Sequence, residues 1–374
     1  MSKLGTQASQ LERYLGREAV EHLSAQMTTW YGPPIAVAGV PGRVFAHAGG
    51  DFRGPILGGK FVGAQDIVEG FFRRVKRGLR HAAIKQQMQA NTGFAGLSDL
   101  IAEMSAGKKT SLQYQKAGAT GVVSGTNSLW GLGAMPAAGA NASNAPGGDA
   151  LTDATTGAAG FTNPTNPDTN HYVGGMAQAS LANTLLCYDR IFQVNKTMNS
   201  TGTEAVTGVP TRYQSTTGGA VDSCEGNFLF PEIGGTALAA TAHNWTVCTY
   251  TDNANNATQT LPTITGNSSG IVRRLDLPLG QWFAPLATGD TGIKLLSQMQ
   301  CSALVATGVV NFVIGHPIAW MPVPLVNVAC LFDGVNTAIS LQRIFDDAAL
   351  AFLEVCKPAT TATNYNMQID FAAG

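Results

Sequence analysis

The densest group of charged side chains in this chain is a basic cluster within residues 71–85, which read FFRRVKRGLRHAAIK. Apolar residues recur at helical spacing through residues 64–90, and this spacing predicts a helix. The cluster comprises Arg73, Arg74, Lys76, Arg77, Arg80, His81 and Lys85. Most of these side chains would lie opposite the apolar face. They could neutralise nucleic-acid phosphates without reading sequence, pair with an acidic neighbouring subunit, or simply be solvated.

A second candidate is the segment from Gly266 to Gly270, GNSSG, which matches the GxSxG pattern of serine hydrolases. That pattern needs a strand–turn–helix context to expose its serine, here Ser268. The residues that follow, IVRRL, indicate a strand instead, so we predict a plain loop. We likewise expect GDTG at 289–292 to be a tight turn, and Asp346-Asp347 to be charges at a helix start.

Metal and cofactor patterns are missing from the sequence. The six histidines form no HxH, HxxxH or HExxH spacing, and the cysteines form no CxxC pair. Gly131-Leu132-Gly133 lacks the third glycine of a dinucleotide fingerprint, and there is no Walker A motif. We therefore expect no metal, no cofactor, no small-molecule substrate and no enzymatic activity.

The six cysteines all lie from Cys187 onward. A chain of this length does not need disulfides to hold its core together. We expect most of these cysteines to be free, buried and packed as small apolar side chains. One or two structural disulfides stay open as the alternative, if the protein meets an oxidising medium.

The composition favours assembly. Charged residues make up 13% of the 374 residues, against roughly 25% in an ordinary soluble domain. Glycine is abundant, with 44 residues, while 44% of the chain is hydrophobic and can build a large core. A weakly charged surface is typical of a protein packed against close neighbours, and it is unusual for a free cytosolic monomer.

Charge is unevenly divided along the chain. The first 120 residues hold 15 Lys and Arg against 8 Asp and Glu, and the remainder holds 8 against 16. The two parts are expected to face different surroundings, or each other. The first 17 residues contain no apolar run typical of a signal peptide, and no stretch of 18 apolar residues occurs. We expect a chain made in the cytoplasm without membrane contact.

The hydrophobic patterns divide the chain into three regions. Residues 1–115 form a helical N-terminal region, with helices predicted at 8–31, 64–90 and 96–106. Residues 116–180 are rich in Gly, Ala, Asn and Pro, and we expect an extended arm that reaches a neighbouring subunit; disorder is the alternative. Residues 181–374 are β-like.

Short β-rich runs separated by turn residues favour an antiparallel β-sandwich, jelly-roll-like, for 181–374. The fold class is therefore α+β, mainly β. The predicted strands are 185–194, 226–231, 244–251, 271–277, 293–304, 308–315 and 365–371. Residues 343–356 are predicted as a short helix or a strand pair, since Ile344, Ala348, Phe352 and Cys356 share a helical face.

Several motifs in the later part of the chain occur together in a fixed order. They are LCYDRIF (186–192), PTRY (210–213) with Gly218-Gly219, YTDN (250–253), LATGDTGI (286–293) and IFDDAAL (344–350), preceded by SLW (128–130). With this order and spacing, residues 96–374 resemble a family of virion structural proteins from tailed bacteriophages. The resemblance implies a particle component made in many copies, and it transfers no catalytic residue.

Under this resemblance the motif residues are turn and packing positions, and Asp189 and Arg212 are candidates for a structural ion pair. We expect a capsid protein of the head shell, or a cement or decoration protein that stabilises it. Its partners would be copies of itself and other virion proteins, with non-specific contact between the basic cluster and packaged DNA. The alternative is a tail or spike component with a carbohydrate-binding β-sandwich, in which Trp245, Trp282 and Trp320 offer stacking surfaces.

Overall fold

The structure is a computed structural model, and it describes residues 34–36, 43–45, 94, 96–166, 168–267, 270–337 and 341–374. The chain divides into two units, residues 1–80 and 81–374, and each is described by itself. In the first unit two short strands pair antiparallel, with Ile35 opposite Val44. The helices predicted at 8–31 and 64–90 lie outside the described residues.

The described elements are mostly strands. In chain order they begin with β1 (Pro34–Ala36), β2 (Arg43–Phe45), β3 (Lys109–Ala119), β4 (Asn127–Ser128), β5 (Ala134–Met135), β6 (Asp149–Ala150), β7 (Asn170–Ala179), β8 (Asn183–Thr197), β9 (Glu204–Ala205) and β10 (Phe228–Ile233). They continue with β11 (Asn244–Asp252), β12 (Gln259–Thr260), β13 (Ile264–Thr265), β14 (Ile293–Cys301), β15 (Val309–Val323), β16 (Cys330–Asp333), β17 (Arg343–Ile344), β18 (Leu350–Val355) and β19 (Thr363–Ala373). The described helices are α1 (Leu97–Ser105) and α2 (Gly334–Thr337). The predicted mainly-β class is confirmed, and α1 confirms the helix predicted at 96–106.

The described part of the second unit contains three antiparallel sheets. The central sheet has the order β10-β15-β8-β18-β4, with β6 also paired to β8. The terminal sheet, named for the C-terminal strand it contains, has the order β16-β7-β19-β3-β5, with β17 also paired to β7. The five-stranded sheet has the order β12-β11-β14-β9, with β13 also paired to β11.

Apolar cores cover the central sheet on both faces. On one face, Phe352 of β18 packs edge-on against Tyr114 of the terminal sheet, with ring centroids 4.9 Å apart. On the other face, Phe312 of β15 packs edge-on against Trp245 of the five-stranded sheet at 4.6 Å. Strands covered on both faces have no solvent side, so β10 and β18 are buried along their whole length.

Two long strands of the terminal sheet, β3 and β19, alternate between buried and more exposed side chains, whereas β7 is almost entirely buried. Leu112, Tyr114 and Lys116 of β3 point inward, and the residues between them are exposed. β19 shows the same period of two, which agrees with the strand predicted at 365–371. The strands predicted at 185–194, 226–231, 244–251 and 293–304 are also present, with ends shifted by up to three residues. The strand predicted at 308–315 is present as β15, which continues to Val323.

The segment 116–180 differs from the extended arm that its composition predicts. It starts inside β3 and ends beyond β7, two strands of the terminal sheet. Between them, Trp130 is buried, and its Nε1 donates a hydrogen bond to Ala140 O at 3.1 Å. Side chains at Gly139 or Gly157 would collide with this indole or with the chain around it. The small residues therefore wrap the chain's own tryptophan, and the structure does not set this segment apart as an arm.

Two further expectations are corrected. Residues 271–277 form no regular strand and make only isolated bridges at Arg274 and Leu275. Residues 343–356 form two strands, β17 and β18, rather than a helix, because both faces of β18 are needed to fill the two cores. The strand alternative is therefore confirmed, although the two strands pair with β7 and β8 and not with each other.

Candidate functional site

Asp189 and Arg212 form a buried bidentate ion pair that joins two of the sequence motifs. Arg212 Nε and Nη2 donate to the two carboxylate oxygens at 2.8 and 2.7 Å. Arg212 Nη1 donates to Leu151 O at 2.7 Å, and Ala349 N donates to Asp189 Oδ1 at 3.0 Å. The predicted ion pair is confirmed, and it holds four distant segments together.

The motifs YTDN and LATGDTGI meet in the same manner. Tyr250 Oη donates to Asp290 Oδ2 at 2.5 Å and accepts from Ala287 N at 2.8 Å. Thr291 N donates to Asn253 Oδ1 at 3.1 Å. Gly289 takes a positive φ of 99°, as the predicted tight turn requires. These motif residues form junctions of the fold.

A second buried ion pair lies within the central sheet. Arg190 Nη1 and Nη2 donate to the Glu232 carboxylate at 2.9 and 3.1 Å, and Gln193 Oε1 accepts from the same guanidinium at 2.8 Å. Asn311, on the strand between them, donates to Glu232 Oε1 at 3.3 Å. Planar bidentate hydrogen bonding compensates two charges that are removed from water. This ion pair therefore links strands β8 and β10.

His243 lies beside the GNSSG segment and contacts an acid. Its Nε2 is 2.8 Å from Asp276 Oδ2, and its Nδ1 is 3.0 Å from Thr241 O. Both ring nitrogens of His243 face oxygen atoms, one of a carboxylate and one of a backbone carbonyl. Burial acts to lower the pKa of His243, but the hydrogen bond and charge of Asp276 outweigh it and raise the pKa above its ordinary value.

A general base must accept the nucleophile's proton on a ring nitrogen that faces the nucleophile, and both ring nitrogens of His243 already contact Asp276 and Thr241. Asp276 is also occupied, because its Oδ2 accepts from Trp245 Nε1 at 2.8 Å and its Oδ1 from Asn267 N at 2.8 Å. Ser268 itself lies outside the described residues. The His243–Asp276 pair is thus engaged in contacts within the fold.

His316 is the second histidine with an altered pKa. Burial lowers the pKa of His316 to about 4. Its Nδ1 donates to Asn227 Oδ1 at 2.8 Å, its Nε2 accepts from Gln342 Nε2 at 3.1 Å, and its ring stacks on Tyr213 at 3.9 Å. Both nitrogens of the neutral ring are used in these contacts, so neither is available to a metal ion.

Within the described parts of the chain, no three His, Cys, Asp or Glu side chains come together in a way that could hold a metal ion. All six cysteines are described, and all are free. Cys187, Cys224, Cys248 and Cys301 are buried, as predicted, whereas Cys330 and Cys356 are partly or fully exposed. A helix long and apolar enough to cross a membrane does not occur among the described residues.

A shallow aromatic cleft lies beside the central sheet. It has a volume of about 230 Å³, and its lining includes Phe228, Trp282, Phe283 and Asp290. Trp320, which is 46% exposed, packs edge-on against Trp282 with centroids 5.2 Å apart. Of the three tryptophans named as stacking candidates, Trp245 is buried, Trp282 lines this cleft, and Trp320 packs against Trp282.

A run of exposed apolar side chains follows β15 and extends onto β16. This exposed apolar segment, residues 325–331, contains Leu325, Val326, Val328 and Leu331. Leu331 is 83% exposed, although it stands on a paired strand. Asn327 anchors the segment, because its N donates to Ala179 O at 2.8 Å and its O accepts from Gln178 Nε2 at 2.9 Å. The apolar side chains are thus held in place at the surface.

The sequence analysis did not single out this segment. The available signal was a run of apolar residues, LVNVACL, after Pro324, which fits neither the alternation of a half-buried strand nor a turn. The basic cluster that the sequence did single out, Arg73, Arg74, Lys76, Arg77, Arg80 and Lys85, lies outside the described residues.

A scan of known protein-family models gives no match to this chain, and a search of curated protein sequences gives none either.

Proposed function

We propose that this chain is a structural protein of a tailed-bacteriophage virion, built into the head shell as a capsid or cement protein. It acts by packing against copies of itself and other virion proteins. The resemblance of residues 96–374 supports this proposal, and so do the roles of its motifs. Asp189, Arg212, Tyr250 and Asp290 link distant segments of one fold, which is what a resemblance between structural proteins implies.

The observation that carries the proposal is the exposed apolar segment on the edge of the terminal sheet. β16 ends this sheet, and its outer edge pairs with no other strand in the described part of the chain. Soluble proteins protect such edges or use them for association. Leu325, Val326, Val328 and Leu331 fit a contact with another subunit, where their apolar surface would be removed from water.

Within this proposal the second unit is a jelly-roll-like β-sandwich made of the central and terminal sheets. The shared core around Tyr114, Phe352 and Ile369 supports it. The basic cluster of residues 71–85 would face the packaged DNA or an acidic neighbouring subunit. The finished protein would reside in the virion after synthesis in the host cytoplasm.

Gold-labelled antibodies against this chain, applied to purified particles in the electron microscope, test the proposal. We expect regular labelling of the head surface, or labelling of heads after mild disruption. Labelling confined to tails would replace the head placement by the tail alternative. Particles free of the chain would contradict a virion role altogether.

A carbohydrate-binding tail or spike component is the second candidate, and the aromatic cleft favours it. Exposed Trp320 and Phe283 could stack on sugar rings. The polar side chain of Asn227 in the cleft, however, already makes hydrogen bonds within the protein. It donates to Tyr213 O and Ile293 O and accepts from His316. Glycan-array binding that Trp320→Ala abolishes and Leu304→Ala, at another exposed site, preserves would establish this alternative.

A further inference from the structure

A lysine, a glutamate and two asparagines meet inside the core between the central and terminal sheets. Glu354 follows Leu350 and Phe352 on the face of β18 that points into this core. Glu354 and Lys357 are fully buried, and Asn127 is nearly so. An ion pair here has no water around it, so its two charges are costly to maintain.

The Glu354 carboxylate contacts the lysine and both asparagines, and Lys357 Nζ also donates to Thr363 Oγ1. Lys357 Nζ lies 3.1 and 3.2 Å from Oε1 and Oε2. Asn127 Nδ2 donates to Oε2 at 2.9 Å, and Asn183 Nδ2 donates to Oε1 at 3.2 Å. The side-chain oxygens of both asparagines are buried without a hydrogen-bond partner, so this cluster is incompletely satisfied, unlike the Asp189–Arg212 pair.

Backbone pairing fixes the lysine next to one of these amides. Asn127 stands directly opposite Glu354 in the antiparallel pair of β4 and β18. Lys357 N donates to Gly125 O at 2.8 Å, and Lys357 O accepts from Ser124 N at 2.7 Å. A methyl group on Gly121 would lie 2.6 Å from both Asn127 Nδ2 and Lys357 Cδ. The two side chains therefore meet over Gly121, where only a glycine leaves room for them.

We propose that Lys357 and Asn127 join in an intramolecular isopeptide bond, with Glu354 as the group that transfers protons. The three side chains supply an amine nucleophile, an amide electrophile and a carboxyl group in contact with both. Held together in a dry core, they have the proximity that makes a slow acyl transfer accessible.

The reaction exchanges one amide for another. Glu354 takes a proton from Lys357 Nζ across the 3.1 Å contact between Nζ and Oε1. The Nζ lone pair attacks Asn127 Cγ, and a C–N bond forms. Glu354 gives its proton to Nδ2 as the bond from Cγ to Nδ2 breaks. One Nζ proton remains on the new amide and two leave with Nδ2 as ammonium, so no oxidant, reductant or cofactor is consumed.

Mass spectrometry of the denatured, full-length chain tests the bond directly. We expect a mass lower than that of the unmodified chain by one ammonia molecule, and a branched peptide that joins Lys357 to Asn127. Digestion should use a protease that cuts after aromatic residues, because Pro358 follows Lys357 and blocks tryptic cleavage there. Separate, unmodified peptides containing Lys357 and Asn127 would overturn the proposal and leave a buried ion pair only.

Variants assign the roles of the side chains. Glu354→Gln keeps a polar group of equal size but cannot transfer the protons, so it should retain the full mass, and so should Asn127→Ala. Asn183→Ala is the matched control, since Asn183 contacts the same carboxylate, and it should still lose ammonia. A branched peptide in Glu354→Gln would refute the role of Glu354. If a variant does not fold, the wild-type mass still decides whether the bond exists.

Discussion

The central and terminal sheets differ in whether the side chains on both faces of their strands are buried. β10 and β18 of the central sheet are buried throughout, whereas β3 and β19 of the terminal sheet alternate between core and solvent. Charges in the central sheet are therefore inside the protein, and they occur in pairs such as Arg190–Glu232. The terminal sheet instead ends in β16, where exposed Leu331 follows the exposed apolar residues Leu325, Val326 and Val328. The central sheet carries its charges inside the protein, and the terminal sheet leaves apolar side chains at the surface.

Breaking a buried ion pair at the central sheet should cause the largest fall in the free energy of unfolding. Arg212→Ala leaves Asp189 buried and unpaired, and we expect a loss of about 3–5 kcal/mol in the free energy of unfolding. Lys108→Met, which removes an exposed pair with Glu103 and Asp168 near the terminal sheet, should cause no measurable loss. Urea unfolding of both variants compares them, and equal effects would contradict the contrast between the sheets.

Leucine-to-alanine substitutions should destabilise the protein to different degrees in the two sheets. Leu353→Ala in β18 opens a cavity in a fully buried site and should lower the free energy of unfolding by about 2–5 kcal/mol. Leu331→Ala on β16 removes a side chain that is already in water, so the expected change is within about 0.5 kcal/mol. Thermal and urea unfolding would measure both, and a large loss for Leu331→Ala would mean that this side chain is part of the core.

Acid should weaken the central sheet through His316. Burial lowers the pKa of His316 in the folded protein to about 4, from an ordinary value of 6.5. Between these values the unfolded chain binds a proton that the folded chain does not. The free energy of unfolding therefore falls as the pH drops from 6.5 to 4, by up to about 3 kcal/mol.

His316→Gln cannot take up this proton, so its free energy of unfolding should fall less as the pH drops from 6.5 to 4. Urea unfolding at about pH 7 and about pH 4.5 would show a smaller acid loss in His316→Gln than in the wild-type protein. Identical losses in both proteins would show that His316 is not the group responsible.

The sequence predicted strands well where local pattern decides the structure. The alternation in YNMQIDF and the apolar run in LCYDRIF each follow from how many faces of the strand are covered. Prediction from the sequence failed where contacts between residues far apart in the chain determine the structure. Residues 116–180 have no periodicity of their own, because their order comes from packing around Trp130. The helical spacing from Ile344 to Cys356 does not produce a helix. Alternate side chains of β18 pack into two different cores on opposite faces of the strand, and this requires an extended backbone.

The candidate sites were less accessible to sequence reasoning. Asp189 and Arg212 were paired in advance only because their motifs were taken together. The meeting of Asn127 with Glu354 and Lys357 joins positions 227 residues apart in one hydrogen bond, and no spacing rule reveals it. The exposed segment 325–331 became visible only when burial was known, because an apolar run alone does not say whether it faces core or solvent.

Sedimentation velocity of the full chain at low and high salt tests the central claim, which is that the edge of the terminal sheet is a contact between subunits. We predict a concentration-dependent oligomer that persists at high salt, because apolar contacts are not screened, and that Leu331→Asp dissociates without unfolding. Dissociation of the wild-type oligomer by salt would assign the contact to charge pairing instead. A wild-type chain that stays monomeric at every concentration, or an oligomer that Leu331→Asp leaves intact, would contradict the account.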